Sequence, residues 1–380
     1  MKVYFDNAAT TPIDPAVFEE MKPFFEGFYG NPSSIHSHGR EVRAAIERSR
    51  KKIADILNTS PSEIFFTSGG TEADNTAIGS SVKSSGIQHI ISSRIEHHAV
   101  LHTLEVLQSE GKVNVHFVDL EDDGQVNYES LEKLLAGKNK AMVSLMHANN
   151  EIGNVLDLER VGELCEAHGA IFHSDTVQTV GHFPHDLQSL NTHCIVGSAH
   201  KLHGPKGIGF MYLRHDHKIQ PFVHGGAQER NMRGGTENVY GIVGLAKALE
   251  IAYEHQNAHR EHMEKLKSRM IHGLRQIIPE VAFNGTSGDI SKSLYTVLNV
   301  CLPPSEDNDM LLFNLDINGI SVSGGSACSS GSNIGSHVLA ELDRDQNRGA
   351  IRFSFSKYNT EEEVDYAVEK LGEIVAVEVN

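Results

Sequence analysis

Cys194-Ile195-Val196-Gly197-Ser198-Ala199-His200-Lys201-Leu202-His203-Gly204-Pro205-Lys206-Gly207 runs from a short apolar segment straight into a lysine and then a Gly/Pro-rich turn. The apolar segment reads as a strand, 194–198, with Lys201 at its mouth. Partial burial and nearby cations disfavour an ammonium there, and a free amine can condense with an aldehyde. An isolated lysine before a turn is ordinarily a solvated surface group, so the flanking segments must decide.

Outward from this point, helix-like and strand-like segments alternate from about residue 36 to 300. Further strands are expected at 63–67, 88–93, 113–118, 141–148, 170–175 and 207–213. Val42, Ala45, Ile46, Ile53, Ile56 and Leu57 recur at helical spacing and mark an amphipathic helix ending near Asn58. Ser68-Gly69-Gly70 reads as a turn, and Thr71-Glu72-Ala73-Asp74 resembles a capping box opening the next helix. Another helix is expected at 157–168, stopping at Gly169. Strands separated by helices imply an α/β fold whose mostly parallel sheet is covered on both faces. A long helical stretch from Gly241 to Ile278 then bridges to a smaller α+β unit. The expected division is a large domain, 13–258, and a small one, 1–12 with 259–380, the latter carrying a mobile loop at about 323–335.

Composition limits the functions available. The 380 residues exceed one small core, and 39% hydrophobic with 22% charged residues describes an ordinary globular protein. No apolar run is long enough to span a membrane, and Met1-Lys2-Val3-Tyr4-Phe5-Asp6 lacks a signal-peptide core, so a cytoplasmic location is expected. A formal charge of −17 argues against nonspecific nucleic-acid binding. The four cysteines, Cys165, Cys194, Cys301 and Cys328, show no CxxC spacing, so neither a disulfide framework nor a zinc site is indicated. The 23 histidines are scattered without HExxH spacing, and no resident metal is expected.

Several segments place polar groups at expected strand ends, where open α/β sheets collect ligands. Gly70 and Thr71 follow a strand and open a helix, an arrangement that offers backbone N–H groups to a phosphate. Asp175 ends a strand with Gln178 three residues on; it reads equally as a helix N-cap or as a partner for the pyridinium nitrogen of pyridoxal phosphate (PLP). His97 and His98 follow one strand and Asn150 another, suiting ring stacking and an amide hydrogen bond.

Together these segments resemble the class V aminotransferase-type PLP enzymes, and within them the cysteine desulfurases of the NifS/IscS type. The resemblance runs from Tyr4-Phe5-Asp6-Asn7-Ala8-Ala9-Thr10-Thr11 to Ile351-Arg352-Phe353-Ser354. Between lie Gly30-Asn31-Pro32-Ser33-Ser34, Gly70-Thr71-Glu72-Ala73-Asp74-Asn75, Glu96-His97-His98-Ala99-Val100 and Asn149-Asn150-Glu151-Ile152-Gly153. Asp175-Thr176-Val177-Gln178, the lysine segment, Gly234-Gly235-Thr236 and Ser326-Ala327-Cys328 complete the series. The resemblance implies a PLP-dependent transferase (aspartate aminotransferase-like) fold with PLP as cofactor. Lys201 would be the Schiff-base lysine, Asp175 the partner of the pyridine nitrogen, and His97 the ring that stacks on the cofactor and aids proton transfer. Gln178 and Asn150 would bond the phenolic oxygen or its surroundings. Gly70, Thr71, Ser198 and His200 would hold the phosphate, with Thr236 reaching it from the other subunit of a homodimer. Arg352 would clamp the α-carboxylate of an L-cysteine substrate, assisted by Asn31.

Cys328 selects the reaction. Ser323-Gly324-Gly325-Ser326-Ala327-Cys328-Ser329-Ser330-Gly331-Ser332 contains no large side chain and so presents an accessible thiol on a mobile loop. In a desulfurase this thiol takes the sulfur of cysteine as a persulfide, releases alanine, and carries the sulfur to an acceptor such as an iron–sulfur scaffold or a sulfur carrier. During transfer Cys328 could also serve as a transient iron–sulfur ligand. Cys165, Cys194 and Cys301 read as small buried hydrophobes. The chain has Asn333-Ile334-Gly335 where the family commonly carries Leu-Glu-Pro, and it stops at Asn380, short of the scaffold-docking tail of some relatives. Two alternatives stay open: a selenocysteine lyase or small-acid aminotransferase of the same family, and a non-catalytic protein of the PLP fold.

Overall fold

The structure is a computed structural model that describes residues 1–305, 308–324, 335–342, 345 and 347–377; Cys328 and most of its loop lie outside the described residues. The central sheet has seven strands, in the spatial order Ile64–Thr67, Gly209–Leu213, Cys194–Ser198, Ile171–Asp175, Ala141–Ser144, His89–Ser92 and Asn114–Phe117. Six run parallel, and only Gly209–Leu213 runs against them, wedged between its two neighbours.

Both faces of this sheet are apolar, as a parallel sheet flanked by helices requires. Ile64, Phe66, Ile195, Phe210 and Tyr212 face one core, shared with Ile46 and Ile53 of the helix Ser37–Ile56 and with Leu245 and Leu249. The alternate positions, Phe65, Cys194, Val196 and Met211, face a second core with Ala73 and Ala77. The backbones crowd where the reversed strand begins: a Cβ on Gly209 would lie 2.5 Å from the Gly197 oxygen and 2.8 Å from Gly69 Cα. Only glycine fits there, and it draws three strand ends together.

The smaller β-structure consists of an antiparallel sheet, Arg348–Ser354, Val297–Pro304 and Ala282–Phe283, and a parallel pair joining Val3–Tyr4 to Ile320–Ser321. Val3 and Phe5 are buried in one cluster with Leu266 and Met270 of the helix Gln256–Ile277 and Leu371 of the helix Glu361–Val377. Chain ends separated by more than 300 positions therefore share a core.

Three local expectations are corrected. The stretch 241–278 is two helices, Val239–Glu254 and Gln256–Ile277, broken at His255 with φ −110° and ψ 15°. The strand expected at 141–148 leaves the sheet after Ser144, and the following residues form the loop that carries Asn149 and Asn150. Thr71–Asp74 is no capping box: the helix spans Gly70–Ser85 with Gly69 as N-cap and no side-chain cap. Glu72 instead accepts from Ser68 N (3.0 Å) and pairs with Arg233 (2.9 Å), while Asp74 points into the interior.

Candidate active site

The six parallel strands end on one side of the sheet, and the polar residues that follow five of them converge on a cleft of about 240 Å³. Gly70, Thr71, His97, Asn150 and Asp175 line it, as do Gln178, Ser198, His200, Lys201 and Arg352. Asn31 and Thr236 do not. Asn31 is exposed and caps its own turn, accepting from Ser33 N at 2.9 Å. Thr236 is exposed on a separate depression with Arg233 and Gly235. Cys328 lies outside the described residues.

Lys201 closes a single helical turn, Ala199–Lys201, directly after the strand Cys194–Ser198. Its Nζ donates to the carbonyls of Ala8 and Ala9, the latter at 2.9 Å, and Gln178 Nε2 donates to the same Ala8 carbonyl at 3.0 Å. The N-terminal segment is thus one wall of the cleft. His200 bonds it as well, its Nδ1 lying 3.1 Å from Thr10 Oγ1. Burial, with Lys201 and Lys206 nearby, lowers the His200 pKa to about 4, which keeps that imidazole neutral.

Asp175 ends its strand in a buried position, Oδ1 accepting from Val177 N at 2.9 Å. Burial raises its pKa, against the opposing pull of His97, the Val177 N–H and Lys201. A buried carboxylate in this position favours a cationic partner. His97 caps the helix His98–Ser109, its Nδ1 accepting from Ala99 N at 3.1 Å. Its pKa is lowered, chiefly by burial and further by Lys201, although Asp175 pulls it upward. The neutral imidazole therefore carries its proton on Nε2.

Sequence reasoning overlooks four carboxyls around this cleft. Asp74 lines its floor, with Oδ1 3.3 Å from the buried His173 Nε2, and burial beside Asp175 and Glu96 raises its pKa well above the usual range. Glu96 is fully buried, accepting from Ser93 Oγ (2.8 Å) and Met146 N (3.1 Å); burial pushes its pKa to about 8. Glu151, also buried, accepts from Ser336 Oγ at 2.5 Å. Asp6 pairs with Arg352 at 2.8 Å. The only signal for Asp74 was its helical spacing to the core residues Ala77 and Ile78. Glu96 had a local signal in its Ser-x-x-Glu spacing to Ser93, but its bond to Met146 N and the bonds of Glu151 and Asp6 cross distances that no local pattern encodes.

The residues present fit PLP. The first N–H groups of the helix Gly70–Ser85 lack intrahelical partners and open on the cleft, beside the Ser198 hydroxyl and His200, a donor set suited to phosphate. A Cβ on Gly70 would sit 2.7 Å from Val177 Cγ2, so glycine keeps this end of the cleft open to a ligand. An amine, a buried carboxylate and an imidazole share the same walls.

This combination of fold and site defines a PLP-dependent enzyme, and comparison with known proteins gives its family. The family model for class V aminotransferases matches residues 3–367, and the chain belongs to that family. Among its relatives, cysteine desulfurase IscS of Clostridium botulinum is 42% identical over 379 residues, covering 98% of this chain and 94% of the relative. A solved NifS-like protein superposes with a TM-score of 0.91 at 40% identity, covering 99% of this chain and 100% of its own. SspA, solved in complex with cysteine, superposes at 0.81 with 31% identity, covering 94% of this chain and 100% of its own.

Proposed function

We propose that this protein is a PLP-dependent cysteine desulfurase that converts L-cysteine to L-alanine and captures the sulfur as a persulfide on Cys328. One observation carries the reading: Lys201 and Arg352 line a single cleft with the Gly70 helix end and Asp175. A reactive amine and a carboxylate receptor thus share a cofactor-shaped site. The family membership and the names of its relatives point the same way.

Gly70, Thr71, Ser198 and His200 hold the cofactor phosphate, Asp175 its ring nitrogen, His97 its ring face, and Gln178 and Asn150 its phenolic side. Bound PLP supplies an electron sink that acidifies the substrate Cα–H. Arg352 holds the substrate carboxylate, and Lys201, whose amine anchors the cofactor at rest, takes the α-proton and returns it within the site. The Cys328 thiolate attacks the substrate Sγ. An S–S bond forms as the C–S bond breaks, the C–S electron pair stays on carbon, and a proton there completes alanine. Atoms and charge balance without an external oxidant.

Thr236, exposed on its own chain, reaches the phosphate of the neighbouring protomer in a homodimer. The enzyme works in the cytoplasm and hands its sulfur to an iron–sulfur scaffold or a sulfur carrier. Residues 13–258 form the cofactor domain, with 1–12 and 259–380 as the second domain.

The test is to assay Cys328→Ser and the parent enzyme with L-cysteine while following alanine, sulfide and keto acid. The parent is expected to give alanine with sulfide under reductant; the variant should lose sulfide release yet keep the yellow absorbance of lysine-bound PLP. Sulfide release at the parental rate from Cys328→Ser overturns the reading, and keto acid as the product points to an aminotransferase.

A further inference from the structure

Arg352 is among the largest fully buried side chains of the molecule, and its surroundings are unusual for a buried cation. It lies on the strand Arg348–Ser354, whose backbone at this position is bonded to Ser323 in both directions, Arg352 N to Ser323 O at 2.7 Å and Ser323 N to Arg352 O at 3.3 Å. Nη1 donates to the Asn150 carbonyl at 3.0 Å, and Nη2 donates to Asp6 Oδ1 at 2.8 Å. Nε is buried and has no hydrogen-bond partner among the described residues. Asp6 Oδ1 also accepts from Ser323 Oγ at 2.8 Å, so the carboxylate is itself held in place.

Glu151, the other carboxyl near Arg352, is drawn toward ionisation by that cation, yet burial raises its pKa and its described bond runs to Ser336. Among the described residues, Asp6 is therefore the carboxylate bonded to the guanidinium. It uses one oxygen on one nitrogen, whereas a fork-to-fork pair would use two. Such a contact fixes the orientation of the group and leaves donors unspent.

We propose that Asp6, held by Ser323, is the positioning residue that presets Arg352 to receive a carboxylate. The inference rests on the reading of Arg352 as the substrate clamp. An arginine free to rotate loses side-chain entropy on binding; one already pinned at Nη1 and Nη2 has lost most of it beforehand. The carboxylate contact is made alike in the ground and transition states, so its loss falls on KM and leaves kcat nearly unchanged. Asp6 has an opposing effect, because its charge competes with an incoming anion for the same cation. The two effects separate on substitution: Asp6→Asn keeps an oxygen acceptor without the charge, and Asp6→Ala removes both.

The experiment measures kcat and KM of holoenzyme variants for L-cysteine and for L-cysteine methyl ester, which lacks the carboxylate charge. Asp6→Ala is expected to raise KM for cysteine on the order of tenfold while leaving kcat and the ester kinetics near parental values. Asp6→Asn should restore most of the loss. Ser323→Ala, which frees Asp6 without touching Arg352, should shift KM the same way by about two- to threefold. Cofactor affinity, read by absorbance titration of the apoenzyme, should not change. A fall in KM in both Asp6 variants overturns the proposal, as does an equal effect on acid and ester. Arg352→Gln distinguishes the two levels of failure. If it does not discriminate acid from ester, the clamp reading itself is wrong; if it does and Asp6→Ala does not, only the role of Asp6 is wrong.

Discussion

Two buried arginines, Arg50 and Arg352, mark two regions of the molecule that use the same side chain for opposite ends. Arg50, in the helix Ser37–Ile56, spends its donors completely. Nη1 and Nη2 grip both oxygens of Glu229 at 2.8 Å, Nη1 also reaches the Ile64 carbonyl at 2.9 Å, Nε meets Glu47 at 3.2 Å, and the guanidinium covers the Phe66 ring. Glu229 in turn accepts from Phe66 N at 2.8 Å. Glu229, Arg230 and Asn231 have φ of 44°, 55° and 68°, a left-handed run that costs energy at each residue and persists only when its surroundings enforce it. Arg50 supplies that enforcement. Among the described residues Arg352 bonds one carboxylate oxygen and one carbonyl and leaves Nε unspent. The donors of Arg50 are all committed to structure, whereas those of Arg352 are in part still available to a ligand.

The contrast breaks most readily at Arg352. Arg352→Ala is expected to lower kcat/KM for L-cysteine by about 10³-fold and to cost less stability than loss of Arg50, since Asp6, unlike Glu229, keeps access to solvent when its partner is removed. A large loss of stability without a change in KM would make Arg352 a second Arg50. The converse change, Arg50→Met, should cost about 3–5 kcal/mol in denaturant unfolding, because it strands the buried Glu229, and should leave kcat/KM of the folded enzyme within about twofold. The double variant Arg50→Met/Glu229→Leu should recover part of that loss.

Lys267 sharpens the comparison as a third kind of buried cation. It donates to Ser293 Oγ (2.7 Å) and the Leu294 carbonyl (3.0 Å), and no carboxylate bonds it among the described residues. Burial lowers its pKa from 10.5 to about 7, although Asp289 and Glu264 pull it upward. Between those values the unfolded chain binds a proton that the folded chain does not. This residue therefore makes stability rise with pH, by up to about 1.4 kcal/mol per unit, from about pH 7 toward 10.5. Below about pH 7 both states are charged and the burial penalty stands in full. Unfolding midpoints measured from pH 7 to 10 should rise less steeply in Lys267→Met than in the parent; equal slopes would contradict the assignment.

The same distinction explains what the sequence discloses. Lys201, Asp175, Ser198 and Gly70 follow apolar strands, and since parallel strands end on one side, their meeting in a cleft is legible from local pattern. The α/β architecture is legible for the same reason. Arg50–Glu229, Asp6–Arg352 and Asp74–His173 are not, because each joins residues about 100 to 350 positions apart and leaves no periodicity behind. The misread box at Thr71–Asp74 is instructive: the Ser/Thr-x-x-acid spacing is present, but Arg233 claims Glu72 and the interior claims Asp74. The break at His255 has no glycine or proline to announce it.

The pairing of Val3–Tyr4 with Ile320–Ser321 also bears on how the enzyme is made. On a ribosome the first strand emerges with no partner, and about 320 residues must follow before one exists. The strands from Ile64 to Leu213 form a nearly contiguous block that can assemble meanwhile. Lys201 and Asp175 then stand in place while their wall of Ala8 and Ala9 carbonyls still lacks its final anchor. Arg352 is synthesised about 150 residues after Lys201. Biosynthetic order thus builds the Lys201 wall of the cleft first and the Arg352 wall last.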